Sequence, residues 1–171
     1  MGETARIVSD SKGRSHYVMN QQYTMSCGPA CVAMTEYYYF GQRQCAKTAE
    51  GRAQVLSQRY PGSFSLETGT RTENLYHVLN KEGIKSYWPT TMSQGKIFDY
   101  LYQYITDTTS AIAHTRWASG NGHFTVCRMI DSDHTVVFLD PEYGVVEVAR
   151  QALPRYRTNG QLSGEFIFTH K

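Results

Sequence analysis

The chain predicts an α+β fold, a helical N-terminal half packed on an antiparallel sheet from the C-terminal half. Three observations carry the prediction. Up to Ile105, apolar residues recur every three or four positions, the period of a buried helix face. From Ser110 the pattern changes to short apolar or alternating runs between turn residues, as in antiparallel strands. No repeat, low-complexity run or linker separates the two. Residues 1–171 therefore read as one domain, long enough to bury a core of its own.

In chain order, residues 1–20 are polar with apolar pieces at 5–8 and 17–19, an N-terminal arm with strand content. Residues 29–40 read as a helix ended by Gly41. Residues 47–60 have helical composition and stop at Pro61-Gly62, and 61–70 form a loop. Arg71 or Thr72 caps a third helix that closes at Gly83. Ser93 caps a fourth, with Ile97, Phe98, Leu101, Tyr102 and Ile105 on one stripe. Strands are expected at 110–116, 123–131, 134–140, 145–148 and 165–169. Ser132-Asp133 and Glu142-Tyr143-Gly144 read as their hairpin turns.

Composition excludes several function classes. The 17 basic and 15 acidic residues give a net charge of +2 and form no blocks. No electrostatic footprint for nucleic acid or an anionic membrane results. The longest apolar runs, such as 135–139, are far too short to span a bilayer, and the first residues have no apolar signal core. The expectation is a soluble cytosolic protein, unless the chain is cut from a longer one whose targeting lies elsewhere. The cysteines (27, 31, 45 and 127) are too few for a disulfide framework without a secretory signal. Cys27 and Cys31 lie one helical turn apart, a poor geometry for a bridge. A single CxxxC without a second pair does not make a zinc site, so Cys31, Cys45 and Cys127 read as buried small residues.

The chemistry concentrates at Cys27. Pro29 is tolerated only in the first turn of a helix, where its missing N–H is not needed. The helix thus starts at Cys27 or Gly28, and the thiol sits at its N-terminal tip. Unpaired N–H groups and the macrodipole favour negative charge there. Gly28 leaves room for a substrate to approach the sulfur. Gln21, six positions earlier, offers an amide donor to the same space, with Gln22 as the neighbouring candidate. A thiol beside amide donors suits attack on a carbonyl, whose tetrahedral oxyanion needs them.

A base and an orienting acid are found in the sheet half. Gly122-His123-Phe124 begins a strand, and Asp140-Pro141 ends the next. A hairpin about Ser132-Asp133 places His123 and Asp140 opposite or nearly opposite each other, within reach of an imidazole–carboxylate hydrogen bond. His114 and His134 compete for the histidine's role, but His123 alone begins a strand whose mate ends in an acid. Asp131 and Asp133 compete for the acid's role and fall at the turn. Trp117 and Asn121 precede His123 and either wall a cleft or belong to an exposed glycine-rich loop.

Gln21-x5-Cys27-Gly28-Pro29-Ala30-Cys31-x2-Met34, Gly122-His123-Phe124 and Leu139-Asp140-Pro141, in this order, resemble the papain-like cysteine peptidases. The likeness is nearest to the double-glycine peptidases that process bacteriocin leaders and to papain-like domains of bacterial effectors and toxins. It implies a helical half and a twisted antiparallel half with the active site in the cleft between them. It also implies nucleophile Cys27, base and acid His123, orienting Asp140, and an oxyanion site from Gln21 and the Cys27 N–H. Trp117 and Gly122 would contact substrate and narrow the cleft, favouring cleavage after Gly-Gly or Gly-Ala. No metal or organic cofactor is required.

With no transporter segment, propeptide or disulfide set, the resemblance points to an effector or toxin domain acting on a protein of a target cell. A cognate immunity protein would then plug the cleft. Leader processing is the alternative role. Transglutaminase, deamidase or acyltransferase chemistry is the alternative reaction. A non-catalytic papain-like binding module would be expected to lack the nucleophile or the base, and this chain has both.

Overall fold

A computed structural model describes residues 5–23, 25–41, 47–65 and 67–170. The first strands, β1 (Ala5–Ser9) and β2 (Ser15–Met19), pair as an antiparallel hairpin. Asp10 builds its turn, accepting the backbone N–H groups of Lys12 and Arg14 and the Arg14 guanidinium. Val18 and Met19 are wholly buried, so the arm is part of the core.

Helix α1 (Cys27–Phe40) is covered on nearly all sides. Val32, Thr35 and Glu36 are buried along with Ala30, Cys31, Ala33 and Met34, while Tyr38 is exposed. The reason is that α2 (Ala49–Arg59) and α3 (Thr72–Lys81) cover the face turned away from the sheet. Arg52 of α2 ties this layer together, donating to Glu36 at 2.6 and 2.9 Å and to Glu82 at 2.9 Å. Thr48 caps α2 by accepting the Gly51 N–H. Neither Arg71 nor Ser93 makes a side-chain cap. The turn after Ser93 is a 3-10 turn (Gln94–Lys96), and α4 (Ile97–Tyr104) begins only after it.

The sheet contains β3 (Lys85–Tyr87), β4 (Thr109–Trp117), β5 (Gly122–Ile130), β6 (Thr135–Asp140), β7 (Gly144–Ala149), β8 (Arg155–Tyr156) and β9 (Gly160–His170). Its order is β3-β9-β4-β5-β6-β7, with β8 against β9 and every pair antiparallel. Side chains alternate between its faces. Ile112, Phe124, Val126, Leu139 and Ile167 pack with α1 in one apolar cluster. Ala111, Ala113, Cys127, Phe138, Tyr156 and Phe166 pack with α4 in the other. The helices are thus split, three on one face and α4 on the opposite one. Two short strands, β3 and β8, carry no alternation long enough to be read from sequence.

The β5–β6 hairpin fixes which face each site residue takes. Near its turn Ile130 pairs with Val136 and Met129 with Val137, but beyond a bulge at Arg128 Cys127 pairs with Phe138 and Val126 with Leu139. Continuing that register sets Asp140 beside Thr125 and one diagonal step from His123 on the same face. Without the bulge, Asp140 would stand beside Val126 and face the other way. The turn itself is one residue longer than a Ser132-Asp133 hairpin, with His134 at φ +66° and its N–H on the Asp131 carbonyl. The longer turn and the bulge cancel, so the final register equals that of a two-residue hairpin.

Candidate active site

Cys27 is the first residue of α1, where backbone N–H groups have no intrahelical acceptor. It is 7% exposed and lines a cleft of about 360 Å³ with Gln21, Met25, Thr68, Gly69, Thr70, Trp117, Gly122, His123 and Glu142. Gly28 does not open a path to the sulfur. A Cβ there would stand 2.7 Å from Thr70 Oγ1, so Thr70 fills that space. The glycine lets the helix tip seat against the loop at 68–70.

His123 lies at the start of β5, where the sheet ends. Its Nε2 bonds Asp140 Oδ1 at 2.8 Å, and its ring interacts electrostatically with the Cys27 side chain, which lines the same cleft. With Nε2 taken by the carboxylate, Nδ1 is the nitrogen left for sulfur. Burial works to lower the His123 pKa, but the interactions with Asp140 and Cys27 outweigh it and raise it to about 10. The imidazolium is therefore the favoured form at neutral pH. Asp140 is wholly buried. Burial works to raise its pKa, yet the bonds from His123, Tyr156 and the Glu142 N–H hold it below its ordinary value. Tyr156 Oη donates to Oδ2 at 2.5 Å, and the Glu142 N–H donates to Oδ1 at 2.7 Å.

Gln21 stands at the cleft, its side-chain Nε2 donating to the Tyr23 carbonyl at 3.0 Å. Glu50 of α2 clamps the approach to Cys27, accepting the N–H groups of Gln22 and Tyr23 and the Ser26 hydroxyl. Burial works to raise the Glu50 pKa, and these donors pull it down overall. Gln22 is thus bound to Glu50 through its backbone. Trp117 and Asn121 both line the cleft, and the Trp117 ring centroid is 5.3 Å from that of His123.

The rival residues are engaged elsewhere, with one exception. His134 packs on Phe98 and Tyr102 of α4. Asp131 pairs with Arg14 and Lys12, and Asp133 with Lys12. His114 is the exception, because it lines the same cleft as Cys27 and His123. Cys31 and Cys127 are buried and free, and burial raises both thiols, Cys127 to about 12. The Cys45 reading lies outside the described residues. No group of three or more His, Cys, Asp or Glu among the described residues is placed to hold a metal ion.

Tyr156, Glu50 and Thr70 were not singled out from the sequence. Tyr156 sits on a two-residue strand with no pattern of its own. Glu50 reads as ordinary first-turn charge, and Thr70 as one polar residue in a loop. None carried a signal that sequence spacing could pick out.

No protein-family model matches the chain, and no curated protein matches it in sequence. Solved structures do match. A double-glycine motif protease from an AMS/PCAT transporter, in complex with its leader peptide, is 16% identical with a TM-score of 0.60, covering 99% of this chain and 95% of that one. The peptidase domain of Streptococcus ComA, a bifunctional ABC transporter of a quorum-sensing pathway, is 17% identical with a TM-score of 0.65, covering 90% of this chain and 96% of that one. The peptidase domain of Streptococcus mutans ComA is 17% identical at 0.57, covering 90% and 98%. No helix among the described residues is long and apolar enough to cross a membrane. Helices on a twisted antiparallel sheet, with a thiol at a helix tip facing a strand-borne histidine, give this chain the papain-like fold of the double-glycine peptidase domains.

Proposed function

We propose that the chain is a thiol peptidase with Cys27 as nucleophile, His123 as base and acid, and Asp140 as the residue that orients His123. The observation that carries this reading is the imidazole of His123 held between the Asp140 carboxylate and the thiol at the tip of α1. His123 already holds the thiol proton on Nδ1, and the sulfur, as thiolate, attacks the peptide carbonyl carbon. The oxyanion is received by the Cys27 N–H and the Gln21 amide. As the C–N bond breaks, His123 returns the proton to the leaving amine. Water, deprotonated by His123, then opens the thioester, releasing a carboxylate and restoring the thiol.

The substrate we propose is a peptide or exposed loop cut after Gly-Gly or Gly-Ala. Trp117 forms a bulky wall beside His123, and Gly122 lies next to it in the cleft. A narrow passage there admits residues without large side chains. The likeness to domains that handle double-glycine leaders favours leader-type processing as the role. Delivery as an effector with an immunity partner gains no support from these likenesses.

The test is a peptide library incubated with the wild-type chain and with Cys27→Ala, read by mass spectrometry. Cuts after Gly-Gly or Gly-Ala that vanish in Cys27→Ala support the reading. Amide loss or amine incorporation at glutamine, without chain cleavage, would instead make it a deamidase or transglutaminase.

A further inference from the structure

Building on the peptidase reading, we propose that His114 determines specificity: its Nε2 accepts a hydrogen bond from a serine or threonine side chain of the peptide, in the part of the cleft beside Cys27.

His114 pairs with Phe124 across β4 and β5, so its ring belongs to the face opposite His123. The His114 and Phe124 ring centroids are 5.2 Å apart, and both residues line the cleft together with Met25, Gly69 and Thr70. His114 and Phe124 therefore belong to the wall of the cleft, as does the loop at 68–70.

The tautomer follows from Ser163. Its Oγ donates to the His114 carbonyl at 3.3 Å and accepts the Glu165 N–H at 3.3 Å. Assigning the hydroxyl hydrogen to that carbonyl makes Ser163 Oγ the acceptor of the His114 Nδ1–H at 2.8 Å. Glu165 Oε2, 3.5 Å from Nδ1, favours the same proton position. Nε2 is left with its lone pair. Among the described residues Nε2 makes no hydrogen bond. It approaches the cleft-lining Gly122 so closely that a Cβ there would stand 2.7 Å from it.

Burial is the main influence that favours the neutral ring. Burial lowers its pKa, the Glu165 carboxylate on β9 opposes, and Arg116 on β4 and His123 on β5 lower it further. A neutral acceptor in the wall of the cleft discriminates by what it loses. An aliphatic side chain would strip water from Nε2 and return no donor, whereas a hydroxyl of the same size returns one. Protonation at acid pH converts Nε2 to a donor and removes the acceptor.

The experiment compares Gly-Gly peptides carrying serine or its isostere 2-aminobutyrate at each position before the scissile glycine pair. Binding is measured on the Cys27→Ala chain, which needs no turnover, and kcat/KM on the wild type. Serine should win at one position by about fivefold to tenfold, the size of one neutral hydrogen bond. His114→Leu should erase that preference, and Ser163→Ala should reduce it by freeing the tautomer. The 15N resonance of Nε2 should show an unprotonated ring nitrogen that shifts when the serine peptide binds. The preference should fade as the pH falls below the range in which His114 is neutral. A serine preference in binding without any cleavage overturns the peptidase reading and keeps His114. Cleavage with equal use of serine and 2-aminobutyrate at every position, a preference unchanged in both variants, or a protonated Nε2 in the neutral ring overturns the role of His114.

Discussion

The backbone N–H of Gln21 donates to the carbonyl of Pro141 at 2.8 Å. Pro141 follows Asp140, so this main-chain bond joins the segment bearing Gln21, the proposed oxyanion donor, to the segment bearing Asp140, the proposed orienting acid. The bond does not use the Gln21 side chain, so the amide can be removed while the backbone anchor stays.

Gln21→Ala should therefore lower kcat by about a hundredfold or more with little change in KM, as expected on losing an oxyanion donor. Thermal unfolding should stay near wild type. A rise in KM at unchanged kcat would make Gln21 a substrate-binding residue instead.

Cys27→Ala should abolish turnover and leave the fold intact. Iodoacetamide should modify Cys27 well before Cys31 or Cys127, whose thiols are buried and held protonated. Peptide mapping after brief labelling checks the order. First modification of any other cysteine displaces Cys27 as nucleophile.

His123→Ala should cost about as much as losing the thiol, since the two act as one unit. Asp140→Asn should cost less and leave a second mark. Burial lowers the His123 pKa, and Asp140 is the first contributor that raises it towards about 10. Without the carboxylate, the imidazolium gives up its proton at lower pH. The basic limb of the kcat/KM profile should then move to lower pH in Asp140→Asn. The same linkage contributes stability that is fully present below about pH 6.5 and is lost as the pH rises through about 10. An unmoved basic limb would separate Asp140 from the titration of His123.

Tyr156→Phe removes the hydroxyl that donates to Asp140 Oδ2 and leaves a buried carboxylate oxygen without that partner. Stability should fall by about 1–3 kcal/mol, measured by denaturant unfolding at neutral pH. Activity should fall less than in Asp140→Asn, because the His123 bond uses Oδ1. A variant as stable as wild type would show that water replaces the hydroxyl.

Chelators should leave turnover unchanged and thiol reductants should preserve it, because the proposed chemistry belongs to a thiolate. Loss of activity in EDTA with recovery on adding zinc would replace the thiol mechanism by a metal one.

Much of this arrangement was legible because it is written in local rules. Pro29 sets the start of a helix wherever the rest of the chain goes, so the tip position of Cys27 could be read from two residues. The strands that bear His123 and Asp140 announce themselves by alternation. The illegible parts depend on partners far along the chain. Thr70 occupies the space over Gly28, Glu50 reaches back to the segment before Cys27, and Tyr156 meets Asp140 from a strand of two residues. The cleft-side placement of His114 belongs to the same class. Its strand and the loop at 61–70 could be read, but not that the fold sets that loop in the same cleft.

The bulge at Arg128 gives the β5–β6 hairpin a reading frame of its own. Deleting Arg128 would join Cys127 to Met129 and leave Phe138 and Val137 opposite them, as now. Such a deletion sacrifices only the reach of Arg128 to the carbonyls of Thr106 and Asp107 and to Tyr38. Deleting a single residue from the turn would leave a two-residue loop between the same pair, Asp131 and Thr135, and the register would hold. Relatives of this chain should therefore vary in length here at the bulge or in the turn. A lone insertion in the regular part of either strand would turn the acid away from its histidine.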